Sequence, residues 1–315
     1  MSISKVVATF QALLESTGLP GNLLLIATIV LEKRFHVMRC VLLASLAVSD
    51  FLWLALVNTF RTASILEERW LFGETMCYLN PCLSRYLHIN TVLHLVVVSY
   101  DRYQAIVRSP LTYSGVVTCN RVALIVLIWI IPIPLSIGPF LDWGKYVYNP
   151  EVFYCEQGWS EQSASSRWNM LFFSISTFVG PFLVIILLNQ SVYKTAKRQI
   201  NASNIQQYSS DTKRQQQEMS RRVRERKAAT DVSIIIAAFL LCFLPVWIVG
   251  TCRQFAGGMD IPSDVVLVTA CIFSFSTLCN PIIYSIRKND FRAGAKNVLR
   301  RFTVCATKNN NNIKV

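Results

Sequence analysis

Seven separate apolar blocks, each about the 20 residues needed to cross a bilayer's hydrocarbon core, constrain this chain more than any other feature. They lie near residues 7–31, 38–62, 76–107, 121–141, 168–195, 229–252 and 262–286, and take up more than half of the 315 residues. The expected fold class is all-α: a seven-transmembrane helix bundle with a short amphipathic helix on the inner membrane face. Composition agrees, since 53% of residues are hydrophobic, only 16% are charged and the mean hydropathy is +0.40, unlike a water-soluble domain. Too little chain lies outside the blocks for a separate soluble domain. A globular cytosolic enzyme and a secreted binding module are thereby excluded.

The formal charge of +13 raises the question of nucleic acid, but its placement answers it. Of 31 Lys and Arg residues, 24 fall in alternate connections and the tail: Lys33 to Arg39, Arg102 to Arg121, Lys194 to Lys227, and Arg287 to Lys314. By the positive-inside rule the carboxyl tail is expected in the cytoplasm and the amino end outside, in a multi-pass plasma-membrane protein. The basic stretches then face anionic membrane lipids and cytoplasmic partners, not nucleic acid. Gln11, Glu15 and Pro20 interrupt any cleavable signal, so the first span is expected to serve as its own signal.

Cys77 at the outer mouth of the third span and Cys155 in the long outer loop lie on the oxidising side, and a disulfide between them is expected. Residues 199–220 are polar and almost free of aliphatic side chains, which predicts disorder. The domain organisation reads as a receptor-sized bundle over 1–287, an amphipathic helix over 288–303 and a polar tail over 304–315. In the amphipathic segment Phe291, Ala295, Val298 and Phe302 recur at helical spacing, with Arg292, Lys296, Arg300 and Arg301 placed to reach headgroups. Cys305, just beyond, is a candidate for palmitoylation.

Ionisable and amide groups inside hydrocarbon are functional candidates by default. Asp50, in LAVSD, is the strongest. With Thr91, Ser276 and Asn280 it offers hard oxygens for a sodium ion, making Asp50 the metal candidate. Asn22 extends the polar network. At the inner end of the third span stands Asp101-Arg102-Tyr103. Together with Gly21-Asn22, LAVSD, Trp129, Pro181, FLLCFLP over 239–245 and NPIIY over 280–284, in this order and spacing, the chain resembles the rhodopsin-like family of G-protein-coupled receptors over about residues 15–305.

The resemblance implies a ligand pocket in the outer half of the bundle and a cytoplasmic crevice for a heterotrimeric G protein. It implies that Arg102 meets the G protein, Asp101 restrains it, Glu225 pairs with it at rest, and Tyr284 of the Asn280-Pro281 motif swings in on activation. Phe239, Phe243 and Pro245 would form the toggle of span six, where Pro245 lacks an amide hydrogen and builds in a bend. Two residues depart from the family pattern: Phe243 replaces the usual tryptophan, and Asn189 the usual tyrosine.

No lysine occurs between Ile261 and Ile286, so retinal cannot be held there as a Schiff base. Ser84 stands where amine receptors of the family carry an aspartate, which disfavours a monoamine. Arg61, Arg85 and Arg253, with Ser84, His88, Phe243 and Trp247, mark the expected pocket, and Tyr86 is expected to add an apolar wall. Two readings stand for the arginines. Arg61 and Arg253 snorkel to headgroups while Arg85 pairs with an acid such as Glu156, or at least two converge on a small anionic or lipid-like ligand. The alternatives are a receptor for an amine or short peptide, a non-signalling seven-helix scaffold, and a transporter or ion pathway. No ordered catalytic triad or phosphate-cradling loop points to an enzyme.

Overall fold

The computed structural model describes the backbone of residues 2–108, 113, 115–158, 163–206, 213–255 and 261–312, and their side chains except over 199–229 and 304–312. Seven helices form the bundle. They are α1 (Ile3–Leu31), α2 (Met38–Leu66), α3 (Gly73–Tyr103), α4 (Cys119–Ser136), α5 (Ala164–Ser174, then Gly180–Gln206), α6 (Lys213–Phe255) and α7 (Ser263–Arg287). An eighth, α8 (Asn289–Asn312), follows α7. A hairpin of β1 (Tyr146–Asn149) and β2 (Tyr154–Gln157) lies between α4 and α5, pairing Val147 with Glu156 and Tyr148 with Cys155.

Six of these helices are long and apolar enough to cross a membrane. The exception is α3, which has the length at 31 residues but buries Asn80, Arg85, His88, Asn90 and His94. Its polar groups are tolerable because the other helices enclose it: Asn90 Nδ2 donates to Ile128 O at 3.2 Å and His94 Nε2 meets Ser45 Oγ at 2.8 Å. Large apolar side chains such as Leu183, Leu187 and Leu241 instead face outward, where lipid replaces water as the solvent.

Packing follows three levels. An outer cluster joins Val7, Leu14, Ile65, Val266 and Leu267 with Val152 and Tyr154 of the hairpin. A central one joins Leu46, Val92, Leu95, Phe182, Ile235, Phe239 and Phe243. An inner one seats Phe291 and Ala295 of α8 against Leu25, Ile29 and Leu43. At Gly294 α8 lies close to α1 and the turn after it: a Cβ there would come 3.1 Å from Thr28 and 3.0 Å from Arg34 and Phe35, tighter than ordinary contact.

Two expectations about the inner side need correction. Helix α5 continues to Gln206 and α6 begins at Lys213, so most of the segment expected to be disordered is helical, and 207–212 lies outside the described residues. Its Gln, Lys, Arg and Glu residues are good helix formers once an apolar helix has nucleated them. Helix α8 likewise runs past residue 303, to Asn312, although the Asn-rich end offers weak helix propensity.

Candidate functional site

The outer halves of α2, α3, α5, α6 and α7 and the hairpin line a cavity of about 130 Å³. Its floor is aromatic. Phe243 stacks on His88 with ring centroids 4.3 Å apart, and Phe173, Phe273 and Trp247 complete the apolar lining. All three arginines expected at the mouth line this one cavity, along with Ser84 and His88.

Each guanidinium is held differently. Arg253 forms an ion pair with Glu156 at 2.9 Å. Arg85 is buried, donates to Asn169 Oδ1 at 2.7 Å and lies over the Phe173 ring at 4.2 Å. Arg61 donates from Nε to Asn80 Oδ1 at 3.3 Å and lies over the Tyr154 ring at 4.9 Å. So Arg253, not Arg85, takes Glu156, and Arg61 turns inward instead of snorkelling. A π turn over Leu54–Asn58 inserts an extra residue into α2 before Arg61, which changes the face that Arg61 presents. Tyr86 does not line the cavity. One residue past Arg85 its side chain points elsewhere on the helix, and its hydroxyl donates to Trp129 O at 2.8 Å.

The cavity holds several buried nitrogens left unsatisfied among the described residues. Arg85 Nε, Trp53 Nε1, Trp247 Nε1 and His88 Nε2 are buried without a hydrogen-bond partner among the described residues. Three of these are obligate donors. Each buried, unmet donor costs about 1–3 kcal/mol, so the set favours an acceptor-bearing occupant.

The hairpin is fastened over this cavity. Cys155 is joined to Cys77 of α3 with Cα atoms 5.1 Å apart, and Asn149 Nδ2 donates to Glu156 Oε1 at 2.7 Å. Burial, then the Glu156 charge, push the Tyr154 phenol up to about 12, so it is neutral at ordinary pH.

Below the floor, Asn280 Nδ2 donates to Asp50 Oδ2 at 2.7 Å. Thr91 is joined to Ser49 at 3.5 Å, while Ser276 is buried but makes no hydrogen bond to Asp50 among the described residues. Asn22 Nδ2 bridges Gly18 O and Thr277 O at 3.0 and 3.1 Å, linking α1 to α7. Asn280 Oδ1 is buried without a hydrogen-bond partner among the described residues, so it and the Asp50 carboxylate are the oxygens here that could meet a hard cation.

At the inner end Arg102 is buried and bonded to Asp101. The second carboxylate oxygen of Asp101 accepts from Tyr113 at 2.5 Å, and Arg102 Nη2 lies 3.4 Å from the same hydroxyl. Burial, then the Asp101 charge, raise the Tyr113 phenol from its ordinary value. Tyr103 packs beside Tyr113 and Val192, and Tyr284 meets Phe291 edge-on at 6.2 Å. Pro245 and Pro281 lie within continuous helices. Pro181 follows a π turn over Ile175–Val179, which accommodates its missing amide hydrogen. Asn189 Nδ2 donates to Ser99 Oγ at 3.2 Å. The side chains of Glu225 and Cys305 lie outside the described residues.

Sequence reasoning missed Tyr113, Asn169, Asn149 and Asp231. Asp231 holds Arg287 and Lys288, each at 2.5 Å. A carboxylate at the inner edge of an apolar span was its available signal. Also missed was the network in which Glu15 Oε1 accepts from Asn58 at 2.7 Å and Thr62 at 2.6 Å, with Ser274 donating to Asn58 at 2.9 Å.

Seven spanning helices around an outer cavity, a disulfide-pinned hairpin above it and a buried arginine at the inner end make this a multi-pass membrane receptor bundle. The family model for the 7 transmembrane receptor (rhodopsin family) matches residues 21–284, and the chain belongs to that family: it is a receptor, not an enzyme. It is 32% identical over 283 residues to mouse trace amine-associated receptor 7a, covering 88% of this chain and 77% of that protein. Similarity to the octopamine receptor beta-1R of Drosophila melanogaster is 28% over 299 residues, covering 89% of this chain but only 58% of that longer protein. Squid rhodopsin shares the fold at a TM-score of 0.87 and 20% identity, with 96% of this chain and 87% of that one covered.

Proposed function

We propose that this receptor sits in the plasma membrane with its amino end outside, binds a small anionic molecule in the outer cavity and activates a heterotrimeric G protein through its cytoplasmic side. In this reading Arg102, restrained by Asp101 and by Glu225 at rest, meets the G protein. Phe239, Phe243 and Pro245 carry the change along α6, and Asn280, Pro281 and Tyr284 carry it along α7. Asp50 with Asn280 would hold sodium, and Cys305 a palmitoyl chain that reinforces α8.

The surplus of donors in the cavity carries the anionic reading. Arg61 and Arg85 pair with no carboxylate among the described residues, and the unmet nitrogens beside them ask for acceptors. At about 130 Å³ the cavity is close to one that takes a single aromatic ring, roughly 150 Å³, so a compact acid suits it better than a long lipid chain. The test is a second-messenger screen of expressing cells with small acids and amines. An anionic agonist should lose about ten- to a hundred-fold in potency with Arg85→Gln; a potent cationic agonist indifferent to Arg61, Arg85 and Arg253 substitutions would overturn the reading.

The relatives named for octopamine and trace amines favour a second reading, an amine ligand. Glu156 is the one carboxylate lining the cavity among the described residues, so an ammonium group would have to compete with Arg253 for it. Amine agonists that lose potency with Glu156→Gln and gain it with Arg253→Gln would support that alternative.

A further inference from the structure

Among the described residues, four formally charged side chains line the outer cavity: Arg61, Arg85, Arg253 and Glu156. They are not equivalent. Arg61 and Arg85 are each held by a neutral carboxamide oxygen, from Asn80 and Asn169 respectively, which orients the guanidinium without neutralising it. Arg253 is held by the Glu156 carboxylate.

The position of Glu156 is set by several independent restraints. It is buried and follows the disulfide residue Cys155 directly. It also accepts from Asn149, whose own Oδ1 is fixed by the Glu151 amide at 2.9 Å. A carboxylate so placed makes its contact ion pair, among the described residues, with one arginine of the three, and its charge reaches Arg61 only from beyond contact distance. Tyr154, whose ring lies against Arg61, adds no charge because its phenol is protonated at ordinary pH.

We infer that Glu156 sets the charge class of the ligand: by occupying Arg253 it leaves Arg61 and Arg85 with no carboxylate in contact among the described residues, so the cavity selects a small dicarboxylate with one acid group for each. This rests on the anionic-ligand reading and adds a count to it. A monocarboxylate leaves one cavity guanidinium without a counter-charge. A tricarboxylate brings its third charge against Glu156, where like charges a few ångströms apart repel strongly in a partly dry site. Two acid groups match the two anchored forks, each of which forms charge-assisted hydrogen bonds.

The test uses the full chain purified into lipid nanodiscs and a matched series of probes: butanoate, butanedioate and propane-1,2,3-tricarboxylate. Binding is read from ligand-induced thermal stabilisation. Butanedioate is expected to bind about ten- to a hundred-fold more tightly than butanoate, the effect of one further charged hydrogen-bonding pair. Glu156→Gln should move the preference to the tricarboxylate, and Arg61→Gln should abolish the preference for two charges over one. Should Glu156→Gln fail to fold, the wild-type order and Arg61→Gln decide. Equal binding of butanoate and butanedioate, both weakened by Arg85→Gln, overturns the charge count and leaves the anionic reading standing. An unchanged order in Glu156→Gln overturns the role of Glu156. Binding of an amine with no response to any of the three acids overturns both readings.

Discussion

Asp231 on α6 accepts from Arg287 at the end of α7, with Oδ1 and Nε 2.5 Å apart. Lys288, at the turn into α8, reaches the other carboxylate oxygen at the same distance. One acidic residue thus ties the inner part of α6 to the end of α7 and the start of α8. Outward movement of α6 would have to break both contacts.

Asp231→Asn is therefore expected to raise basal nucleotide exchange on a purified G protein. The partners are partly exposed, at 40% and 34%, so screening limits each pair to roughly 0.5 kcal/mol. Together they amount to about 1 kcal/mol, or roughly a fivefold shift toward the active state. Basal exchange no higher than wild type, at equal surface density, would count against the clasp.

Tyr113→Phe tests the second inner restraint. The phenol is the partner of Asp101 that lies off α3, at 2.5 Å. Losing it costs about 0.5–1.5 kcal/mol of resting-state stabilisation, which should raise basal exchange by about two- to tenfold. Arg102→Ala should have the opposite outcome, abolishing exchange while surface expression is kept, because Asp101 retains Tyr113. If Arg102→Ala still couples normally, Arg102 is not the residue that meets the G protein.

The bundle was legible because hydrocarbon filters sequences severely: all seven spans were read as apolar blocks, although α3 is polar enough that length and apolarity alone single out the other six. The three pocket arginines were visible as cations out of place in outer helix ends. Which one would take Glu156 was not visible. Arg253 and Glu156 are 97 residues apart, and the choice depends on the hairpin register and the anchor at Cys77. Arg85 is held through one nitrogen by an uncharged residue, Asn169, that no charge-pairing argument would select. The inner clasp escaped for a similar reason: Asp231 shows in the sequence as a carboxylate at the inner edge of a span, but its partners appear only when α7 and α8 bring Arg287 and Lys288 to it.

Loss of the disulfide should act on ligand binding more than on the fold. Cys77 and Cys155 close a loop with a sequence separation of 78, for which chain entropy alone gives about 4.5 kcal/mol. Much of that loop is membrane-inserted helix that stays ordered without the bond, so Cys155→Ser should cost the bundle about 2 kcal/mol or less. Glu156, in contrast, loses its nearest covalent anchor. The expected outcome is a modest fall in melting temperature with a large loss of agonist affinity. A variant that retains wild-type affinity would show that Asn149 and Arg253 hold Glu156 without the bond.

The departure at Phe243 yields the most specific expectation. Its ring lies 4.3 Å from His88, nearly parallel, with Phe178, Phe239 and Phe273 between 5.4 and 5.7 Å away. In such packing the six-membered ring is already enclosed, and the larger indole that the family usually carries would collide with His88. Phe243→Trp should therefore destabilise the receptor by about 1–3 kcal/mol through overpacking, read as a lower melting temperature in nanodiscs. Removing the opposing ring should reverse this. His88→Ala alone leaves a void and is expected to cost a comparable amount, yet the double variant Phe243→Trp with His88→Ala should be more stable than either single one. The interaction energy of that cycle would be favourable by about 1 kcal/mol or more, as for contacting residues that trade volume. Strict additivity of the two changes would mean that His88 does not set the size of the residue at 243, and that the phenylalanine there has another cause.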